Sequence, residues 1–362
     1  MRPTAQRHLV ALAAALLVAS PCWAGADPTS RALLFVSNRA GQAQIHWMQA
    51  DGTGDHALTQ GPAENTEPAW SPDGRYVAFT SYRDGNAEIY LMDASGANLR
   101  RLTSSPQADN APSWLPDGRI VFRSMRDGWA NFYVVEGNGQ HLRALTRTPS
   151  DKGAPVVSPD GRWIAYVGHG EMGLSNIFVL PSQGGEAQNL TGALSKDQKL
   201  APAWRPDSQG LAYVEYSSGK LGLRAIGRDG RGAAALTDKA FSNASPSWSP
   251  DGRRLVFVSS REGTRMDLPR GDIYVMNADG SGAVNLTQHP AEDNQPVWSA
   301  DGQTIYFMSL RDGPAQIYAV AADGGTARRL THNAGFDLMV RPRPTPLGKP
   351  GDRALPLAPA PH

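Results

Sequence analysis

Cysteine is almost absent from this sequence, which has one, Cys22, in 362 residues. It lies in residues 1–26, which are typical of a signal peptide: a positive start, a short apolar run over residues 9–19 and small residues at 24–26. The apolar run is too short to span a bilayer. We therefore expect residues 1–26 to be removed on export to the periplasm or the exterior, leaving a chain without a disulfide.

An excess of positive charge and a second long apolar run are also missing. Lys and Arg number 35 against 34 Asp and Glu, which gives a formal net charge of +1. We expect no nucleic-acid partner, because there is no surplus of cations to neutralise phosphates. We also expect no transmembrane segment, since no apolar stretch after residue 26 approaches membrane-spanning length. The protein is predicted to be a monomer.

Common catalytic motifs are missing too. The sequence has no Gly-x-Ser-x-Gly motif, no His-Glu-x-x-His motif and no glycine-rich loop with a Lys for phosphate. The histidines after residue 26 show no spacing typical of metal ligands. We therefore predict no catalytic residue, no cofactor and no enzyme activity. The sequence leaves open a divalent cation among acidic residues at a channel mouth.

What the sequence does contain is a repeat. Residues 68–75 read Pro-Ala-Trp-Ser-Pro-Asp-Gly-Arg, and variants of this segment recur along the chain. Its aspartate falls at Asp73, Asp117, Asp160, Asp207, Asp251 and Asp301, which are 44, 43, 47, 44 and 50 residues apart. Repeats of this length are typical of four-stranded propeller blades. Each aspartate sits in its own turn, so we interpret all six as structural residues and not as metal ligands.

Each repeat contains four short strand candidates, named a to d here. The alternation of apolar and polar residues and the turn residues between strands predict an all-β fold, a β-propeller of four-stranded antiparallel blades. Seven blades are favoured, with six as the alternative. The closing blade takes three strands from residues 31–59 and one from residues 336–340. The propeller then covers residues 27–341, and the Pro-rich residues 342–362 are predicted to be a disordered tail.

Together these motifs resemble the propeller repeats of the TolB family, a WD-type repeat. They are the Trp-Ser-Pro-Asp-Gly-Arg start, the Arg-Asp-Gly turn, the Ile-Tyr-x-Met strand and the terminal Leu-Thr, over residues 31–341. The resemblance implies an exported, non-enzymatic propeller that acts as a protein–protein interaction scaffold in the bacterial envelope. A lipoprotein or an outer-membrane complex is the implied partner. TolB itself carries an α/β domain before its propeller, and we expect only the propeller part here.

The d–a and b–c loops of such a blade lie on the same face, and the d–a loops lead to the innermost strand. We therefore predict a partner-binding surface around one mouth of the central channel. Its residues are Glu64, Asn65, Asp109, Asn110, Asp151, Asp197, Asn243, Asp293 and Asn294 from the d–a loops, with Arg83, Arg126 and Arg311 from the b–c loops. The alternative interpretation is that these Asp and Asn residues bond to local backbone. The alternative function is a carbohydrate-binding protein, or a polysaccharide lyase or hydrolase, that uses the channel mouth.

Overall fold

A computed structural model describes residues 31–169, 173–192, 197–261 and 271–344. The predicted signal peptide and residues 345–362 of the predicted tail lie outside the described residues. The described chain forms seven sheets of four strands each. The innermost strands of successive sheets contact one another in ring order, and the last contacts the first. The prediction of a seven-bladed propeller is confirmed, and the alternative of six blades is wrong.

Blade 1 closes the ring with strands from both ends of the described chain. Its strands, from the channel outward, are β28 (Asp337–Pro342), β1 (Ala32–Ser37), β2 (Gln44–Gln49) and β3 (His56–Ala57). The strands β28 and β1 pair antiparallel, with Ser37 opposite Asp337 and Leu33 opposite Pro342. The predicted closing blade is therefore confirmed. Its last strand runs to Pro342, one residue beyond the predicted end of the propeller.

The other six blades follow one another along the chain. Blade 2 consists of β4 (Asn65–Trp70), β5 (Tyr76–Ser81), β6 (Glu88–Asp93) and β7 (Arg100–Arg101). Blade 3 consists of β8 (Asp109–Trp114), β9 (Arg119–Ser124), β10 (Asn131–Glu136) and β11 (Arg143–Ala144). Blade 4 consists of β12 (Val156–Val157), β13 (Trp163–His169), β14 (Ser175–Pro181) and β15 (Gln188–Asn189).

The remaining three blades keep the same order of strands. Blade 5 consists of β16 (Gln198–Trp204), β17 (Gly210–Ser217), β18 (Lys220–Gly227) and β19 (Ala234–Ala235). Blade 6 consists of β20 (Asn243–Trp248), β21 (Arg254–Ser259), β22 (Asp272–Asn277) and β23 (Val284–Asn285). Blade 7 consists of β24 (Asp293–Trp298), β25 (Thr304–Ser309), β26 (Gln316–Ala321) and β27 (Arg328–Arg329).

A separate apolar cluster fills each of the seven interfaces between blades. Strands b and c lie between two such interfaces, so both of their faces are covered, and every residue of β1 is buried. This explains why these strands read as nearly continuous apolar runs. The repeated Trp of strand a packs against the preceding blade and donates its indole N–H there. Trp298 Nε1 bonds Ser247 O at 3.0 Å, and Trp114 Nε1 bonds Ala69 O at 3.0 Å.

The Leu-Thr end of each repeat ties strand d to strand c. In blade 2 the Thr103 hydroxyl oxygen accepts the Ile89 N–H at 2.9 Å and donates to Glu88 Oε2 at 2.7 Å. The same backbone bond to a Thr Oγ1 occurs in all seven blades. Because the outermost strand pairs along only two residues, this side-chain bond replaces a ladder bond that the short strand lacks.

Six inner strands contain a bulge whose central residue is not Gly but has a positive φ. These residues are Glu67, Ala111, Ala201, Ser245, Gln295 and Met339, with φ between 48° and 56°. Left-handed backbone costs a residue with a Cβ about 1–2 kcal/mol. The bulge recurs around the ring, so the strain belongs to the way the inner strands bend at the channel.

Ala201→Gly should therefore stabilise the protein by about 0.5–1 kcal/mol, because Gly adopts a positive φ without that cost. Ala203→Gly in the same strand is the matched control. Ala203 has no positive φ, and its replacement should destabilise by about the same amount. Urea unfolding of the two variants measures both changes. A loss of stability in Ala201→Gly as large as that in Ala203→Gly would contradict the prediction.

None of the described residues forms a helix with the length and hydrophobicity that a bilayer crossing requires.

Candidate functional site

The connections between strands lie at opposite ends of the blades. Because the strands alternate in direction, the d–a and b–c loops share one side of the ring, which we call the loop face. The a–b and c–d turns share the other side, which we call the turn face. All twelve predicted site residues belong to the loop face. Their burial decides which of them can contact a partner.

Four of the predicted site residues are the first residues of inner strands, and they are buried although they were predicted to be exposed. Asn65 is 1% exposed, and Asp109, Asn243 and Asp293 are 0% exposed. Each begins its strand against the preceding blade, and Asp109 N donates to Ala87 O across that junction at 2.8 Å. These side chains therefore lie inside the ring of blades, at its loop-face end, and are not exposed on that face.

Arginines of the b–c loops point inward and bind three of these four buried residues, Asn65, Asp109 and Asp293. Arg311 donates Nη2 to Asp293 Oδ2 at 2.8 Å and Nε to Ser309 Oγ at 2.9 Å. Its guanidinium carbon lies 4.8 Å from the ring centroid of Tyr318. Tyr318 donates its hydroxyl to Asp312, the Asp of the Arg-Asp-Gly turn. The Arg and Asp of the turn motif thus connect the b–c loop to strands a, b and c. We call this set of contacts, here Arg311 with Asp293, Ser309 and Tyr318, a cross-tie.

Blades 2 and 3 repeat this cross-tie. Arg126 Nη2 bonds Asp109 Oδ2 at 2.6 Å, and Arg83 Nη2 bonds Asn65 Oδ1 at 3.0 Å. Burial raises the pKa of Asp109 above its ordinary value, although a bond from the Ser124 hydroxyl and the charge of Arg126 act in the opposite direction. Burying the charged groups of a cross-tie therefore costs free energy, and the buried carboxylate is tolerated only while its arginine pairs with it.

This geometry corrects the predicted partner-binding surface. Seven of the predicted residues are buried or bound in cross-ties and do not form an open polar rim: Asn65, Asp109, Asn243, Asp293, Arg83, Arg126 and Arg311. The other five reach the surface of the loop face at least in part: Glu64, Asn110, Asp151, Asp197 and Asn294. Of the twelve predicted residues, only these five are placed to make a polar contact with a partner on this face.

Blades 4 and 5 depart from the cross-tie scheme. The inner-strand position holds Lys152 and Lys199, and neither b–c loop has an Arg-Asp-Gly sequence. Lys152 is 4% exposed. Its Nζ donates to Asn131 Oδ1 at 3.0 Å, to Thr148 Oγ1 at 2.5 Å and to Ser150 O at 2.9 Å. In blade 4 the buried cation thus comes from the segment before the inner strand, where the b–c loop supplies none.

The free energy of unfolding should rise at alkaline pH because of Lys152, and Lys152→Met should remove part of this rise. Burial lowers the pKa of Lys152 from 10.5 to about 8, against the charge of Asp151. Between these values the unfolded chain holds a proton that the folded chain has lost. The free energy of unfolding should therefore rise by about 1–3 kcal/mol as pH increases through this window.

Urea unfolding at about pH 7.5 and about pH 9.5 measures this rise, which should be smaller in Lys152→Met than in the parent. The exposed Lys220 provides the matched control, Lys220→Met. Lys199, whose pKa is also lowered by burial, keeps part of the response in both variants. An equal rise in the two variants would contradict the prediction.

The loop face also carries every exposed aromatic side chain of the described residues. Tyr82, Trp129, Tyr216, Phe241 and Phe336 are 40%, 46%, 41%, 39% and 40% exposed. All five lie in or beside the d–a and b–c loops, and the other exposed large apolar side chains are aliphatic. Sequence reasoning missed these residues. The sequence did offer a signal for them, because each is an aromatic residue in or beside a loop whose turn does not require one.

The described residues contain no group of three His, Cys, Asp or Glu side chains that could hold a metal ion. Two histidines pair with single carboxylates in separate blades: His46 Nδ1 lies 3.0 Å from Asp55 Oδ1, and His141 Nδ1 lies 2.9 Å from Glu136 Oε1.

Comparison with known families agrees with the repeat and its seven sheets. A family model described as the TolB beta propeller domain matches residues 3–118 and 192–349, which together exceed half of the chain. The chain belongs to the TolB β-propeller family. Membership confirms the resemblance seen in the repeat motifs. It does not by itself assign an activity, because one fold supports many functions.

Individual relatives match this TolB-family propeller over short segments. The Tol-Pal system protein TolB of Alcanivorax borkumensis is 32% identical over 102 residues, which are 28% of this chain and 23% of that protein. The matched segments span only 14–31% of the curated relatives' own lengths.

Solved structures match the TolB-family propeller over more of its length. TolB from Acinetobacter baumannii superposes with a TM-score of 0.53 at 23% identity, over 71% of this chain and 63% of that one. An oligogalacturonate lyase in complex with manganese gives 0.62 at 18% identity, over 82% and 84%. At these identities both show the fold alone.

Proposed function

We propose that this protein is an exported, non-enzymatic propeller of the bacterial envelope that binds a protein partner on its loop face. The observation that supports this most directly is the placement of the exposed aromatic side chains on that face. Aromatic residues are enriched at the centres of protein interfaces, where they contribute most of the binding energy. Exposed apolar surface of this kind on a protein often marks a site of interaction with a partner.

The exposed polar residues of the same face fit a role in orienting the partner. Glu64 and Asp151 are exposed, and Asn110, Asp197 and Asn294 are partly exposed. Charged and amide groups at the rim of an interface contribute more to orientation and association rate than to affinity. The partner would therefore present apolar side chains to the aromatics and polar or basic groups to this rim.

Family membership gives the proposed location and partner class. A relative is named as the TolB protein of the Tol-Pal system, and the sequence of residues 1–26 has the character of a signal peptide. An envelope lipoprotein or outer-membrane complex is accordingly the proposed partner. Fractionation of the host cell, with detection of the protein in the periplasm or the medium, tests the location. Retention in the cytoplasm would contradict it.

Photo-crosslinking from single positions tests the binding face. A crosslinking amino acid placed at Trp129 or Phe241 of the full-length protein should capture one and the same envelope protein in living cells. The same amino acid at Leu99 or Leu142, which are exposed on the turn face, is the matched control and should not capture it. Equal capture from both faces, or none from the loop face, would remove the proposal.

A partner identified in this way allows a direct affinity measurement. Truncating Trp129 or Phe241 to Ala should weaken binding by about 1–3 kcal/mol if the side chain is at the centre of the interface. Glu64→Lys should change the association rate and its salt dependence more than the dissociation rate. Truncation of Leu142 to Ala should leave both rates unchanged.

A further inference from the structure

The closing strand ends in a pair of arginines that no other blade has at both positions. Arg341 lies in β28, and Arg343 follows it with its N–H bonded to Ala32 O at 2.8 Å. In the six other inner strands the position of Arg341 holds a small or β-branched residue: Ala69, Ser113, Val156, Ala203, Ser247 and Val297. Residues two apart in an extended strand project to the same side. Both arginines therefore face blade 2 at the turn-face end of the channel wall.

The aromatic residue between the two arginines belongs to blade 2. Arg343 stacks on Trp70 with 5.5 Å between its guanidinium carbon and the ring centroid. Trp70 Nε1 donates to Arg341 O at 3.1 Å. The indole thus lies against both residues and holds the carbonyl of Arg341. Few groups remain to satisfy the guanidinium donors: Arg341 Nη1 bonds only Val340 O, at 3.3 Å, and the buried Arg343 Nε has no hydrogen-bond partner.

Neither arginine forms an ion pair with any carboxylate of the described residues, although two carboxylates are close. Glu67 Oε2 accepts from Thr80 Oγ1 and from Ala111 N, both at 2.7 Å, which directs it toward blade 3. Burial lowers the pKa of Arg341 to about 10, and the charge of Glu67 only partly offsets this. A half-buried cation without a counter-ion is costly.

The second nearby carboxylate is engaged in its own turn. Asp73 Oδ1 accepts from Ser71 Oγ at 2.6 Å and from Arg75 N at 3.0 Å. Burial lowers the pKa of Arg343 as well, and the charge of Asp73 acts in the opposite direction. Two partly desolvated guanidinium groups therefore lie two residues apart at the end of β28, and both have donors that the described chain does not use.

Blade 5 shows what this position looks like when the arginine has a counter-ion, although Arg205 Nε, like Arg343 Nε, is buried without a hydrogen-bond partner. Arg205 occupies the position of Arg343 and stacks on Trp248 at 5.4 Å. It pairs with Asp207 of its own a–b turn at 3.3 Å, and Ala203 stands where Arg341 would be. Blade 1 has no a–b turn, because the two ends of the described chain meet there, and so it has no such carboxylate.

We propose that Arg341 and Arg343 form a binding site for an oxyanion, a carboxylate or a phosphate, at the turn-face end of the channel. Guanidinium groups bind both anions through paired N–H donors, and the charge-assisted bonds would replace the missing ion pairs. The site lies on the face opposite the proposed protein-binding surface and does not depend on it. The oxyanion could belong to a soluble small molecule or to a phospholipid headgroup.

Isothermal titration calorimetry with inorganic phosphate, at constant ionic strength, tests the site in the full-length protein. We expect saturable binding that the double variant Arg341→Gln/Arg343→Gln weakens by at least about tenfold, the loss of one or more charge-assisted bonds. Arg205→Gln is the matched control and should bind as the parent does. Sedimentation with phosphatidylglycerol vesicles, against phosphatidylcholine vesicles, shows whether the oxyanion is a headgroup.

Arginine-dependent binding of either probe supports the site, and the probe that binds identifies its source. Absence of binding to both probes, or an equal loss in Arg205→Gln, overturns it. If the double Gln variant does not fold, Arg341→Lys/Arg343→Lys keeps both charges and removes the planar pairing. Weaker phosphate binding by this Lys variant, with an unchanged Arg205→Lys control, carries the same conclusion. Unchanged binding by the Lys variant overturns it.

Discussion

Arg311→Ala should lower the free energy of unfolding by about 3–5 kcal/mol, because it leaves the carboxylate of Asp293 buried without its cation. The side chains of Arg311 and Asp293 are 13% and 0% exposed, and they pair at 2.8 Å. The variant also removes the cation that covers the ring of Tyr318. Chemical denaturation near neutral pH measures the loss, and it should exceed that of any single surface substitution in the same blade.

A surface ion pair of similar length provides the control for Arg311→Ala. Arg119 and Asp117 pair at 2.6 Å on the turn face, with side chains 22% and 52% exposed. Arg119→Ala should cost less than about 1 kcal/mol, since solvent screens the pair.

The loss in Arg311→Ala should also depend on pH. Burial raises the pKa of Asp293, and removal of Arg311 raises it further. The folded variant then binds its proton more readily than the unfolded chain does. The loss in free energy of unfolding, relative to the parent protein, should therefore be smaller near pH 5 than near pH 8. A pH-independent loss equal to that of Arg119→Ala would refute this account of the cross-tie.

Trp298→Ala should also cost about 3–5 kcal/mol, through a different mechanism. Trp298 is 3% exposed and fills the interface between blades 6 and 7. Its loss leaves a cavity between two sheets that cannot collapse together, because each is held by its other neighbour. It also leaves Ser247 O without the indole donor that lies 3.0 Å away. Thermal and chemical unfolding both measure the loss.

Two variants separate the cavity from the hydrogen bond in Trp298. Trp298→Phe keeps most of the apolar volume but removes the N–H donor, and should cost less than the Ala variant. Trp129→Ala removes an exposed indole, 46% of which is in solvent, and should change stability by less than about 1 kcal/mol. If Trp298→Ala and Trp129→Ala had equal effects, the repeated Trp would not be a packing residue.

The ring itself could be predicted because its signals are local. The turn residues and the apolar runs of each blade recur at a near-constant period, and the strand after the last Leu-Thr had no other blade to join. The confirmed pairing of β28 with β1 follows from that count. The exact end of β28 at Pro342 could not be predicted, because it depends on backbone bonds to the other end of the described chain.

The predicted site was less successful, because burial of a polar residue depends on contacts between blades. An Asp or Asn before a strand is typical of an exposed loop as well as of a buried tie. A nearly constant separation distinguishes the two cases: Arg126 follows Asp109 by 17 residues and Arg311 follows Asp293 by 18. A pair that keeps its spacing from blade to blade indicates a structural bond within each blade. The exposed aromatics have no such regularity, which is typical of residues that serve one particular partner.

The pairing of β28 with β1 sets the order in which this molecule can finish folding. Its last strand is made after all the others, so blade 1 lacks its innermost strand throughout synthesis. Six blades can form in sequence while the apolar surfaces that will join blades 7 and 1 stay uncovered. Closure then requires a contact between residues about 300 positions apart, such as Ser37 with Asp337. A nascent or truncated chain that lacks β28 therefore exposes the apolar surfaces between blades 7 and 1, and self-association should begin at these surfaces.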